Sequence, residues 1–272
     1  MSGSLNTLTT NSKRLVLQVS LKGFSYCCFD KLTDEVLFLK EVSFEAASRT
    51  FRTEDFYWKA FVEDIQLSKA YEDVLVIHDN NLNTFVPTSL FDPEIAGSYL
   101  QYNTKVFSSD LIDFDSIEKS EITNVYIPYV NINNFLLDHF ESFFYKNSNT
   151  VLVENLLKLS DTAGQTEIFA HICSESFELV ICRDQKLLLA NSYDYKTKED
   201  FCYYLLFCLE QLSLNPEVVN LHFLGSIDEE DPIFKIAYSY VRNVGLLDLP
   251  ARMTKQQYST AENLKNFILF NS

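Results

Sequence analysis

Histidine and cysteine side chains, the usual metal ligands and nucleophiles, occur in this sequence without a recognised spacing. The chain has four histidines and six cysteines. No histidine pair lies four residues apart beside an acid, and no CxxC or Cys/His ligand set is present. All six cysteines fall inside apolar runs, where a free thiol packs as a small hydrophobic side chain. We therefore predict no metal site and no disulfide framework.

Other motifs that carry chemistry are also missing. The acidic residues Asp110, Asp113, Asp115 and Glu118 do not have the spacing of a calcium loop, and no glycine makes its turn, so we interpret them as a solvated loop. The patterns GxSxG, GxGxxG and GxxxxGK[ST] do not occur. His78 and His222 end corresponding predicted strands, and we interpret both as polar residues at strand edges.

Composition narrows the classes of partner. With 272 residues, 47% of them apolar, the chain can form one large globular domain or two smaller ones. A net charge of −16 disfavours binding to nucleic acid or an anionic membrane. Six glycines are few for backbone phosphate cradles. No apolar run is long enough to span a bilayer, and residues 1–14 lack a secretory core, so we expect a flexible tail there and a cytoplasmic protein.

An internal repeat organises the chain into halves at 15–150 and 151–272. Each half begins with three predicted strands, which are Leu15–Val19, Phe24–Phe29 and Glu35–Phe44, then Glu167–Ile172, Phe177–Cys182 and Lys186–Tyr193. A helix follows each triplet, at Thr53–Gln66 and Lys198–Leu212, with Thr53 and Thr197 as predicted N-caps. A short strand comes next, at Val74–Ile77 and Val218–Leu224. Asp-Pro pairs then start helices at Pro93–Tyr102 and Pro232–Val241, with the extra residues of the first half placed chiefly in a loop at 80–91.

The remaining elements are less regular. The pattern predicts a strand at Asn124–Val130, a helix from Asn131 or Asn133 through Tyr145, and a strand at Val151–Leu157 that enters the second half. A linker is predicted at Ser160–Gln165 and a closing strand at Val244–Leu249. The last helix, Thr260–Phe270, is amphipathic and packs on the body or docks a partner.

This order of elements, β-β-β-α-β-α-β repeated twice, resembles the duplicated ribonuclease H-like fold of the actin-like ATPase superfamily. The sequence looks most like an uncharacterised bacterial family with this α/β fold. In that superfamily ATP with Mg²⁺ lies between the halves, and each half offers the hairpin between its first two strands to the phosphates. The resemblance implies an Asp that holds Mg²⁺ at the end of the first strand and a Gly two residues later, with a Gly-Gly motif near the adenosine.

Carried onto this chain, the resemblance marks a degenerate site. Gln18 and His171 take the Asp positions, while Ser20 and Cys173 take the Gly positions. Glu175 adds a negative charge to the second hairpin. Gly225-Ser226 retains one glycine of the adenosine motif, but four acidic residues follow at 228–231. The candidate nucleotide-cleft residues are Gln18, Ser20, His171, Ser174, Gly225 and Ser226.

Two functions remain open from the sequence. The first is a non-catalytic module that binds a protein partner or serves as a scaffold, with no ATPase activity and no cofactor. The second is an ATP-binding protein that uses unorthodox residues such as Gln18, Ser20, Ser174 and Gly225. Under either function we expect no direct contact with nucleic acid, because acidic side chains repel phosphates.

Overall fold

The computed structural model describes residues 12–44, 52–160 and 164–272. Residues 1–11 of the predicted tail and residues 161–163 of the predicted linker therefore lie outside the described residues. The first half begins with β1 (Lys13–Val19), β2 (Gly23–Asp30), β3 (Val36–Ser43), α1 (Thr53–Glu63) and β4 (Asp73–His78). β1 starts two residues inside the predicted tail. α1 begins at Thr53 with Arg52 as its N-cap, so the prediction of Thr53 as the cap was wrong by one residue.

A three-stranded antiparallel sheet interrupts the first half. Its strands are β5 (Asn83–Pro87), β6 (Asp113–Ile117) and β7 (Ile122–Tyr126), in the order β5-β7-β6. The helix α2 (Ala96–Leu100) lies between β5 and β6 in the chain. The extra residues thus form an inserted sheet and not a loop. The predicted strand at Asn124–Val130 belongs to it only as far as Tyr126, where β7 ends. Asp113 and Asp115 lie on β6, where the Asp115 carboxylate accepts hydrogen bonds from the Thr150 hydroxyl at 2.6 Å and the Asn147 N–H at 3.0 Å. The prediction of a solvated loop was therefore wrong at these two residues.

The first half closes with α3 (Val130–Leu137) and β8 (Phe144–Asn147), and α4 (Ser148–Leu159) then leads into the second half. Two predictions were wrong here. The helix ends at Leu137 and does not reach Tyr145, and 151–157 is helical, not a strand. The segment 151–157 resembles a strand in sequence because α4 is buried on almost all sides. Its apolar run therefore has no helical periodicity that would distinguish it from a buried strand. The boundary proposed at 150/151 falls inside α4.

The second half repeats the first without an inserted sheet. Its elements are β9 (Thr166–Ile172), β10 (Ser176–Arg183), β11 (Lys186–Asp194), α5 (Lys198–Gln211), β12 (Asn220–Gly225), α6 (Pro232–Tyr238) and β13 (Asn243–Leu246). The strand orders β3-β2-β1-β4-β8 and β11-β10-β9-β12-β13 match position by position. β13 therefore corresponds to β8, and α6 corresponds to α3. The pairing of the two Asp-Pro helix starts was wrong, because the first of them precedes α2 of the inserted sheet.

A shared core joins the two halves. α7 (Thr260–Lys265) and α8 (Phe267–Phe270) replace the single predicted last helix. Leu264, Phe267 and Ile268 are buried in one cluster with Val16 of β1 and Phe169 of β9. The last helices thus pack between the sheets, so the apolar face that we considered for docking a partner is covered by the chain itself. No helix among the described residues has both the length and the apolar character needed to span a bilayer.

Candidate functional site

Both hairpin turns line one cleft between the halves, with a volume of about 530 Å³. The turns follow β1 and β9, the central strands of matching sheets, and this is why they face the same space. Five of the six predicted site residues line it: Gln18, Ser20, His171, Ser174 and Ser226.

Gly225, the sixth candidate, lies at the end of β12, opposite Ile172 of the parallel neighbouring strand β9. Its φ is +90°, and a Cβ at this position would lie 2.3 Å from the Ile172 carbonyl oxygen. Only glycine tolerates both the left-handed backbone and this approach. The packing of the sheet therefore accounts for Gly225 without any ligand.

Asp79 is a cleft residue that the sequence analysis missed. It follows β4, and its N–H donates to the Val19 carbonyl at 2.9 Å, while its carboxylate accepts a hydrogen bond from the Gln18 amide at 3.1 Å. Ser226 has the same place in the second half, since its N–H donates to the Ile172 carbonyl at 2.8 Å. Burial, and then the negative charge of Glu178, raise the pKa of the Asp79 carboxyl. The available signal was its position directly after a buried strand, at the carboxyl edge of the sheet.

His171 and Cys173 meet Glu178 on the wall of the cleft formed by the second half. His171 Nδ1 lies 2.9 Å from a Glu178 carboxylate oxygen, and the Cys173 Sγ lies 3.7 Å from Nδ1 and 3.8 Å from the same oxygen. Burial, followed by the charge of Glu178, raises the pKa of the Cys173 thiol well above its usual range. The other five cysteines are buried, as predicted.

The cleft carries more negative than positive side chains. Its lining includes four carboxylates and two lysines. Both lysines have carboxylate partners: Lys22 of the first hairpin contacts Glu175 of the second, and Lys265 lies 2.8 Å from Glu41. A polyphosphate entering this cleft would meet an excess of like charge.

The other two strand-end histidines play no part in the cleft. His78 is fully buried, and burial lowers its pKa to about 4, so it is neutral and accepts a hydrogen bond from the Tyr129 N–H at 3.2 Å. His78 ends β4, as predicted, and β8 and Tyr129 cover this end of the strand. His222 pairs with Glu167 at 2.6 Å.

The sequence matches the model of one protein family whose function is unknown. Residues 2–244 match the model of a family described as "Protein of unknown function (DUF3822)". No curated protein matches the sequence.

Three of the solved structures that match cover at least 90% of the chain. A Bacteroides thetaiotaomicron protein with an actin-like ATPase fold and unknown function is 21% identical, with a TM-score of 0.78 over 90% of this chain and 94% of the other. The PilM-PilN type IV pilus biogenesis complex matches at 11% identity and a TM-score of 0.55, over 95% of each chain. The cytoplasmic domain of EpsL, an inner membrane component of the Vibrio cholerae type II secretion system, matches at 12% identity and 0.50, over 96% of each. The expected actin-like ATPase fold is thus confirmed.

Proposed function

The chain belongs to the DUF3822 family of proteins of unknown function, and we propose that it is a non-catalytic module that binds a protein partner, with no need for ATP. One observation carries the proposal: the cleft in which this fold would hold a nucleotide lacks both hairpin acids and both hairpin glycines. Gln18 and His171 stand at the acidic positions, and Ser20 and Cys173 stand at the glycine positions.

Three N–H groups of the hairpins already have acceptors within the chain. The Ser20 N–H donates to the Gly23 carbonyl at 2.9 Å, and the Lys22 N–H donates to the Ser20 hydroxyl at 3.2 Å. In the second hairpin the Cys173 N–H donates to the Ser176 carbonyl at 2.9 Å. A phosphate cradle requires N–H groups that are free to point at the ligand, so the bonding of these three N–H groups favours a role without phosphate.

The shared core also supports a static module. α8 packs against β1 and β2 of the first half, while α7 contacts β12 of the second. Closing the cleft around a ligand would require these packed side chains to slide, and close-packed interiors resist such movement. We infer that the halves keep one relative position.

The structural neighbours support a protein partner. PilM is named in a complex with PilN, and EpsL is named as a component of a secretion system. Since the net charge of this chain is −16, we propose that its partner is a protein and that it has no direct contact with nucleic acid or membrane.

Calorimetric titration of the full chain with Mg-ATP, Mg-ADP and Mg-GTP tests the proposal. We expect no heat of binding and no change in the unfolding midpoint. A dissociation constant below about 100 μM, equivalent to about −5.5 kcal/mol, would overturn it in favour of the alternative, an ATP-binding protein with unorthodox residues. In that case Ser174→Ala would weaken the binding, because Ser174 is exposed in the second hairpin. The role in protein binding is tested by recovering a partner with the tagged chain, which we expect to be the same with and without Mg-ATP.

A further inference from the structure

The hairpin of β9 and β10 places three different metal-binding side chains on one face. His171 and Glu178 are directly opposite in the antiparallel register. Cys173 lies two residues beyond His171, so its side chain points to the same side of the strand. His171 Nδ1, Cys173 Sγ and a Glu178 oxygen all lie within 4.8 Å of one another. The side chains of His171 and Glu178 are only 8% and 16% exposed, so packing restricts their positions.

The distances between these donor atoms agree with a tetrahedral zinc site. Zn–N and Zn–O bonds of about 2.0–2.2 Å and Zn–S bonds of about 2.3 Å place neighbouring ligand atoms about 3.3–3.8 Å apart. The two distances from the Cys173 sulfur are 3.7 and 3.8 Å. The His171–Glu178 distance of 2.9 Å needs to open by only about 0.4 Å to fit.

The surrounding charge also calls for a cation. Asp79 approaches from the first half and, with Glu178, brings two carboxylates to this part of the cleft. Within 12–44, 52–160 and 164–272, no lysine or arginine forms an ion pair with either of them. Asp79 has hydrogen-bond partners in the Gln18 amide and the Ser148 side chain. Glu178 has them in the His171 ring and the Cys173 thiol. The two lysines of the cleft are paired with other carboxylates.

We propose that His171, Cys173 and Glu178 bind a divalent transition-metal ion, with zinc preferred, on the wall of the cleft opposite Asp79. A set of imidazole, thiolate and carboxylate favours zinc over magnesium or calcium, which require oxygen ligands. On binding, Cys173 releases its thiol proton to solvent, and Nδ1 of His171 binds through its lone pair with the ring proton on Nε2. The fourth position is open to the cleft. The site goes beyond the proposed protein-binding function and does not depend on it.

The same sheet contains a matched control. His222 and Glu167 form a second histidine–carboxylate pair, with a separation of 2.6 Å. Among the described residues, this pair does not belong to a group of three or more metal-binding side chains. If a histidine–glutamate pair alone attracted the ion, the two pairs would behave alike. The proposal requires the thiol, so only the pair beside Cys173 is expected to bind tightly.

The test is a zinc titration of the reduced full chain against a chromophoric chelator, without nucleotide. We expect one equivalent to bind with a dissociation constant of about 1 μM or tighter. Cys173→Ser and His171→Gln are each expected to weaken binding at least about tenfold, whereas His222→Gln and Cys202→Ser leave it unchanged. Cobalt substitution is expected to give a thiolate-to-metal absorption band that Cys173→Ser abolishes.

Circular dichroism and the unfolding midpoint establish that each variant is folded. Absence of zinc binding by the wild-type chain, or equal binding by the wild type and Cys173→Ser, would overturn the proposal. Loss of binding in His222→Gln but not in His171→Gln would also overturn it. Because the titration contains no nucleotide, its failure is distinct from failure of the proposed function.

Discussion

Replacing Gly225 by alanine tests whether the sheet, and not a ligand, requires this glycine. The residue ends β12 with a φ of +90°, and an added Cβ would lie 2.3 Å from the carbonyl oxygen and 2.8 Å from the nitrogen of Ile172. Both atoms belong to the backbone of β9, the central strand of its sheet. They cannot turn aside as a flexible side chain would.

The magnitude follows from two contributions. Holding alanine in the left-handed region costs about 1–2 kcal/mol. Forcing the Cβ against the packed strand adds about 1–3 kcal/mol of overpacking strain. We therefore expect Gly225→Ala to lower the free energy of unfolding by about 2–5 kcal/mol.

Gly245 of β13 is the matched control. A Cβ there meets no atom within 4 Å, so Gly245→Ala is expected to be neutral or to stabilise the fold by up to about 1 kcal/mol. Urea denaturation followed by circular dichroism measures both variants under the same conditions. The reasoning is refuted if the free energy of unfolding of Gly225→Ala lies within about 1 kcal/mol of the wild-type value. It is also refuted if both alanine variants lose the same amount of stability.

Four other substitutions, one of them a control, test the core, a helix cap and an ion pair. Phe267→Ala removes a fully buried ring from the core shared by the halves. In urea denaturation we expect the free energy of unfolding to fall by about 3–5 kcal/mol, with a single unfolding transition. Two separate transitions would contradict the shared core. Thr197→Ala removes the side chain that accepts a hydrogen bond from the Asp200 N–H at 3.2 Å, so it should lower the free energy of unfolding by about 1 kcal/mol. The control Thr53→Ala lies inside its helix and should change this energy by only about a few tenths of a kcal/mol. Equal losses would contradict the assignment of the caps. The hydrogen bond from His222 lowers the pKa of Glu167, so the pair stabilises the fold above the ordinary carboxyl pKa, and this stability is lost as the pH falls through the folded-state pKa. Glu167→Gln should therefore destabilise the fold at neutral pH and match the wild type in acid; a difference that persists in acid would contradict the linkage.

Local patterns in the sequence were sufficient for much of the repeated fold. The strand triplets were predicted because their apolar runs are short and bounded by turns, and their observed limits differ from the predicted ones by at most two residues. Thr197 was predicted as a cap because carboxylates follow it in the first helical turn. The structure adds a reciprocal pair between its side chain and that of Asp200. These features depend on neighbours within a few residues.

Features that depend on distant residues were missed. The inserted sheet was not predicted because Asp92-Pro93 imitates the helix start at Asp231-Pro232, and local sequence cannot reveal which sheet a helix will join. α4 was predicted as a strand because burial on almost all sides removes its amphipathic signal. Each error reflects tertiary packing overriding a local pattern.

The candidate site was predicted in part. The hairpin positions located the cleft, since the resemblance aligned both turns. Asp79 reaches the same cleft from another strand, and its place directly after the buried strand β4 was the available signal for this contact. The proximity of Glu178 to His171 could have been predicted, because the turn at 173–176 fixes which residues of the two strands are opposite.

The most direct test of the account is the thermal unfolding midpoint of the full chain in Mg-ATP, with Mg-triphosphate as the control for ionic effects. A ligand that bound the folded chain with a dissociation constant of about 100 μM would, at about 5 mM, stabilise it by about 2 kcal/mol. That amount would raise the midpoint of a chain of this size by several degrees. The account predicts the same midpoint in Mg-ATP and in the control. A rise of several degrees that is specific to Mg-ATP would contradict it.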